Sequence, residues 1–155
     1  MFNIALYQPE IPPNTGNIMR LCANTGCRLH LIHPLGFQLD EKKIRRAGMD
    51  YRDMSVVDEH DDYAHFLQHL GTDKRLFALS TKATTHYSAV DFQAGDTFLF
   101  GPETRGLPIS ILDALPPEQC LRLPMLPESR SLNLSNTAAI MVYEALRQQN
   151  FANLQ

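Results

Sequence analysis

The sequence predicts an α/β fold, a single-domain parallel sheet flanked by helices. Short β-like runs alternate along the chain with segments of helical periodicity, the pattern of strands joined by crossover helices. Two of these runs, Arg75 to Leu79 and Thr97 to Phe100, are apolar at their centres without alternation, as strands buried on both faces are. The length of 155 residues suits one core, and no repeat, low-complexity tract or linker divides it.

Phe2 to Leu6 reads as the first strand, followed by an extended loop carrying Pro9, Pro12 and Pro13. Asn14 or Thr15 is placed to cap a helix running to about Thr25, with Ile18, Leu21, Cys22 and Thr25 along one face. Arg28 to Ile32 is the second strand. Asp40 caps a short basic helix ended by Gly48, and Met54 to Val57 is the third strand. Asp61 or Asp62 opens a helix whose Tyr63, Phe66, Leu67 and Leu70 form a buried stripe. Arg75 to Leu79 and Thr97 to Phe100 are the fourth and fifth strands. Pro108 sits in the first turn of a helix reaching Leu115, where its missing N–H costs nothing. Cys120 to Leu123 is the sixth strand, and a last helix runs from Ser135 or Asn136 to about Gln149.

Composition narrows the function. An apolar fraction of 44% and a charged fraction of 20% belong to an ordinary soluble globule. No apolar run approaches the roughly 18 residues of a membrane span, so no membrane partner is expected. The opening residues lack a basic segment and meet Pro9 early, which reads as a strand and not a signal peptide. Three cysteines, an odd count, point to reduced thiols and a cytoplasmic protein. A net charge of −3 excludes a general nucleic-acid coat protein. It leaves room for one local phosphate-binding patch, and Lys42, Lys43, Arg45 and Arg46, with Arg52 nearby, supply it. On charge alone, a solvated helix face explains these residues equally well.

Three segments carry polar residues that a core does not need. Asn14-Thr15-Gly16-Asn17-Ile18-Met19-Arg20 is either capping chemistry or a helix start turned toward an anion, with Arg20 aimed at it. Phe100-Gly101-Pro102-Glu103-Thr104-Arg105-Gly106 follows an apolar strand, where open α/β sheets bind ligands. Its glycine spacing is that of a P-loop, but Leu107 and Pro108 replace the required Lys and Ser or Thr. The third is the long polar loop from Ser129 to Asn136, which contains Arg130 and Asn133. Capping by Ser135 or Asn136 accounts for part of it. Asp61, His65 and His69 have helical spacing, but they fall on the outer face of their helix with no His-Glu-x-x-His pattern, so no metal site is expected.

In this order the three segments resemble the motifs of the SPOUT methyltransferase superfamily, in its branch that methylates the ribose of tRNA and rRNA. The matching residues are Asn14-x-Gly16-Asn17-x-x-Arg20, Phe100-Gly101-Pro102-Glu103-x-x-Gly106 and Ser131-Leu132-Asn133-x-Ser135. Ile11 to Asn17, Arg45 to Tyr51 and Gly101 to Pro108 narrow the likeness to the minimal members that methylate the wobble ribose of tRNA. The resemblance spans the whole chain.

It implies that the C-terminal part of the sheet is threaded into a trefoil knot and that the chain forms a homodimer. S-adenosyl-L-methionine is the implied cofactor, held by Leu79, Gly101, Leu123, Ser131 and Leu132. Arg20 is the implied catalytic residue, oriented by Glu103, Asn133 and Ser135. The expected partner is the anticodon stem-loop of tRNA, met by Lys42, Lys43, Arg45, Arg46 and Arg130. Arginine stays protonated at ordinary pH, which favours Arg20 as a stabiliser of the developing alkoxide, or of the neighbouring phosphate, over a literal base. Methylation of rRNA, a catalytically silent RNA-binding module and a small-molecule methyltransferase are the rival readings.

Overall fold

The computed structural model describes residues 1–46, 50–54 and 56–155. Its described strands form one parallel sheet in the order β3-β2-β1-β6-β4-β7-β5. These are β1 (Asn3–Tyr7), β2 (Arg28–Ile32), β3 (Val57–His60), β4 (Leu76–Leu79), β5 (Thr85–His86), β6 (Thr97–Phe100) and β7 (Cys120–Arg122). The central strands β4 and β6 are buried along their whole length, as their unbroken apolar runs require.

Alternation along each strand sends side chains to two cores. Ile4, Leu6, Leu29, Leu31, Phe77, Phe98 and Phe100 point to one face, against Ile18, Met19 and Cys22 of α1 (Pro12–Thr25) and Met141, Val142 and Ala145 of α6 (Leu134–Gln148). Ala5, Ile32, Ala78 and Leu99 point to the other, against Phe66 of α4 (Tyr63–Leu70) and Ile111 and Leu112 of α5 (Ile109–Asp113). Two short helices, α2 (Glu41–Arg46) and α3 (Tyr51–Met54), lie between β2 and β3 in sequence. Among the described residues no helix is long and apolar enough to cross a membrane.

Several local expectations change. Pro12 and Pro13 occupy the first turn of α1, so the helix begins ahead of Asn14 and Thr15, and both of those are buried in it. Neither is the cap. Gly26, at φ +74°, ends the helix in the left-handed conformation. Met54 closes α3 and does not open a strand. Asp50 and Asp53 each accept the other's backbone N–H, at 3.2 and 2.8 Å, a reciprocal cap that fixes this short helix. The third strand therefore starts at Val57, and Asp58 and Glu59 lie in an edge strand paired with Arg28 and His33. Leu67 is 40% exposed and drops out of the buried stripe of α4, while Asp62 caps that helix as anticipated. Asn133, and neither Ser135 nor Asn136, caps α6. Asp40 does accept the backbone N–H of Lys42 at the start of α2, at 2.9 Å. The proposed terminator Gly48 and the side chain of Arg52 lie outside the described residues.

Candidate active site

Because the strands are parallel, Tyr7, Leu79, Phe100 and Arg122 all end at one edge of the sheet, and the loops that follow converge there. Between them lies a cleft of about 550 Å³. Leu79, Leu121 and Leu123 give it an apolar wall, all three buried. Gly101 and Glu103 line it from the loop after β6, and Arg130, Ser131, Leu132 and Asn133 from the loop after β7. Every cofactor-binding residue read from the sequence thus meets in one cavity. Leu132 is 43% exposed, so the apolar wall depends more on Leu121, which the sequence reading passed over. Lys82, in the loop after β4, also lines the cleft and was not anticipated.

The loop after β6 is shaped by its own backbone. Gly106 N–H donates to the Pro102 carbonyl at 2.9 Å, and Gly106 takes φ +69° to close the turn. A Cβ on Gly101 would collide with the Gly106–Leu107 backbone. Gly101 is therefore required by the loop that folds over it, in addition to any need for close approach by a ligand.

A polar network joins the three motif segments. The Glu103 carboxylate accepts the backbone N–H of Glu10 at 2.8 Å and of Ile11 at 3.1 Å, just ahead of α1. It also accepts the Asn14 side-chain amide at 3.4 Å. The Asn14 carbonyl oxygen accepts from the Asn133 amide at 3.1 Å. Asn133 Oδ1 in turn accepts from the backbone N–H of Ser135 and Asn136, at 2.9 and 3.3 Å, and from the Ser135 hydroxyl at 2.7 Å. Glu10 returns the clasp, accepting Thr104 N–H at 3.0 Å and its hydroxyl at 2.7 Å. These Thr104 hydrogen bonds, with a smaller contribution from the charge of Arg105, hold the Glu10 carboxyl below its usual range. Glu103, Asn133 and Ser135 are thus one connected group. Asn14 is the hub that sequence reasoning missed, because its position ahead of an apolar helix imitates a cap.

A model of the SpoU rRNA methylase family matches residues 1–143. The chain belongs to that family. It is 61% identical over 151 residues to a tRNA (cytidine(34)-2′-O)-methyltransferase of Escherichia coli K12, covering 97% of this chain and 96% of the relative. A solved structure from Bacillus anthracis superposes with a TM-score of 0.92 at 46% identity, covering 100% of this chain and 98% of that one. A second, concerned with 2′-OH methylation of C/U34 on tRNA, superposes with a TM-score of 0.89 at 44% identity and covers 97% of each chain.

Arg20 is exposed and does not line the strand-end cleft of this SpoU family member. It opens instead on a second cavity, of about 300 Å³, together with Lys43 of α2. Lys42, Lys43, Arg45 and Arg46 are all exposed on α2. Arg130 stands apart from them, at the cleft.

Histidines gather away from both cavities. His65 and His69 are exposed, as expected, yet their rings lie 5.6 and 5.0 Å from that of buried His60. His30 Nδ1 lies 3.0 Å from His60 Nε2, and Asn3 Oδ1 lies 3.4 Å from His30 Nε2. His30, Asp58 and His69 each offer one donor atom within 4.8 Å of the others. Asp58 is already bound by Arg28, with contacts of 3.2 and 2.6 Å. Burial, followed by the charge of His60, pushes the His30 imidazole down to about 4, which keeps His30 neutral at ordinary pH. The thiols are inert by the same physics, since burial raises Cys22 and Cys27 well above the usual thiol range.

Proposed function

We propose that this chain transfers a methyl group from S-adenosyl-L-methionine to the ribose 2′-hydroxyl of the wobble nucleotide, C34 or U34, in the tRNA anticodon loop. The observation that carries this reading is the Glu103–Asn14–Asn133 network beside a cleft made of strand-end loops. It draws on all three motif segments, in a chain closely similar to a C34 methyltransferase.

The cleft fits the cofactor chemically. Leu79, Leu121 and Leu123 offer a slot for a flat ring, while Ser131 and the backbone around Gly101 offer polar partners for ribose and amino-acid groups. When bound, S-adenosyl-L-methionine supplies an activated methyl group. What remains for the protein is alignment and charge. Asn133 is held from two sides, by Asn14 and by the α6 N-terminus, so its position is fixed before any substrate arrives. Arg20 supplies a permanent cation toward the ribose-phosphate, stabilising oxyanion character at the 2′-oxygen as its proton passes, by way of the adjacent phosphate, to water. Lys42, Lys43, Arg45, Arg46 and Arg130 hold further phosphates. A single-stranded loop is the natural substrate, because there a nucleotide can be splayed out and its 2′-hydroxyl reached.

The acting unit is a homodimer. Ile140 and Tyr143 are exposed one turn apart on α6, and Ile11 is exposed at the start of α1, an apolar surface suited to a second copy. Pairing also supplies what one chain lacks, an Arg20 at its own cleft. The single domain ends in a trefoil knot, a reading supported by the family motifs and by the loops after β4 and β7 sharing one cavity wall. A tRNA substrate and three unpaired cysteines favour the cytoplasm. Mass spectrometry of nuclease fragments, after reaction with total tRNA, tests the assignment. Methyl groups are expected at ribose 34, and their appearance only in the D-arm, T-arm or rRNA would overturn it.

A further inference from the structure

The second cavity is unlike the first. It lies between the first turns of α1 and the segment 37–40, and Pro12, Pro13, Met19, Phe37 and Leu39 make its apolar walls. Asn17 and Gln38 bring side-chain amides, each both donor and acceptor. Among the described residues, Arg20 and Lys43 are the cations at this cavity and Asp40, whose Oδ1 accepts the Lys42 backbone N–H, is its carboxylate.

Thr15 lines the same cavity, is 1% exposed, and its hydroxyl has no hydrogen-bond partner among the described residues. Thr25, in the same helix, shows the ordinary solution, donating back to the Leu21 carbonyl at 2.7 Å. A buried hydroxyl without a partner is costly and uncommon. Its presence at a cavity wall, beside two amides and an aromatic ring, describes a place where a ligand completes the hydrogen bonding.

We propose that this cavity is a subsite for one unstacked nucleotide of the RNA, distinct from the cofactor cleft. The base enters the apolar slot and stacks on Phe37, and Thr15 and Gln38 meet its polar edge. Its phosphate lies on Arg20 and Lys43. Aromatic stacking combined with flanking cations is how single-stranded nucleic acid is held, and the charge here selects an anionic ligand. The inference rests on the RNA-methylating function proposed above and adds to it a named base-binding element.

Anticodon stem-loop RNA binding by the intact protein tests it. Phe37→Ala and the volume-sparing Phe37→Leu should both weaken stem-loop affinity, by roughly 5- to 150-fold for one lost stack, with S-adenosyl-L-methionine affinity unchanged. Thr15→Val replaces the hydroxyl by a methyl group of similar size. It should lower RNA affinity while leaving thermal stability equal or higher, an outcome that a purely structural threonine would not give. Photocrosslinking with 5-iodouridine in the anticodon loop should label the peptide carrying Phe37. Wild-type affinity in both Phe37 variants would overturn the subsite, as would crosslinks confined to the strand-end cleft. A change of oligomeric state in those variants would mark the cavity as a contact between copies of the chain, and would overturn it equally. Methylation at ribose 34 by the unaltered protein, alongside unaffected variants, would sink only this inference. Absence of methylation by the unaltered protein would sink the function itself.

Discussion

Asn133 donates its side-chain amide to Asn14 Oδ1 at 3.1 Å, tying two helix beginnings that lie 119 residues apart in the chain. The same Asn133 caps α6 through its other side-chain atom. One residue therefore serves two helices, and its two functions separate by substitution.

Asn133→Ala removes both, and we expect a loss of about 1 kcal/mol in stability from the missing cap, together with reduced methyl transfer. Asn133→Asp keeps an acceptor for Ser135 and Asn136 but cannot donate to Asn14. Stability close to wild type with turnover still depressed is the expected result, read by urea titration beside a methyl-transfer assay. Full turnover in the Asp variant would show that the link to Asn14 is dispensable.

The two glycines of the loop after β6 should behave oppositely. In Gly101→Ala the new methyl meets the Gly106–Leu107 backbone, so both cofactor affinity and melting temperature should fall. Gly106→Ala places its methyl in open space and only strains a left-handed φ, at about 1 kcal/mol. Calorimetric titration with S-adenosyl-L-methionine should find binding lost in the first variant and largely kept in the second.

Arg20 lies outside the cleft of its own chain, so Arg20→Ala should leave cofactor affinity unchanged while cutting turnover sharply. Arg20→Lys should also fail, because a point charge does not reproduce the planar fork of a guanidinium. Isothermal titration and single-turnover kinetics on both variants separate these effects. Near-normal turnover in the Lys variant would reduce the requirement to a positive charge.

Acid should destabilise the fold through its histidines. His30 is pushed down to about 4 and His60 is also lowered, in both cases chiefly by burial. The unfolded chain binds these protons near the ordinary pH of about 6.5, whereas the folded chain resists them. Their neutral state therefore costs nothing above that pH. Below it, stability falls progressively until about pH 4, by on the order of 3 kcal/mol for His30 at about 1.4 kcal/mol per tenfold change in proton affinity. Denaturation midpoints measured from pH 7.5 to 4 should show this slope, and His30→Leu should flatten it. An unchanged slope in that variant would assign the acid sensitivity elsewhere.

The sequence by itself determined the α/β class and most of the strands. Short runs with apolar centres, such as Thr97 to Phe100 between turn residues, read as buried strands, and β2 and β6 match their expected bounds. It also determined the cleft, because loops after parallel strands must share an edge: Leu79 ends one such strand, and Gly101, Leu123 and Asn133 sit in the loops that follow others. Local signals failed where a polar residue had two uses. Asn14 ahead of an apolar helix has the pattern of a cap, and only the arrival of Glu103 and Asn133 from distant segments makes it a hub. His65 and His69 stay on the outer face that their periodicity predicts, but only the packing of α4 against the sheet brings their rings beside that of buried His60. Arg20 belongs to the same motif as Asn14, but six residues of helix turn it to another face and another cavity. Spacing along the chain fixes which residues share an element's face. Which faces meet is decided by how the elements pack, through contacts between segments about a hundred residues apart.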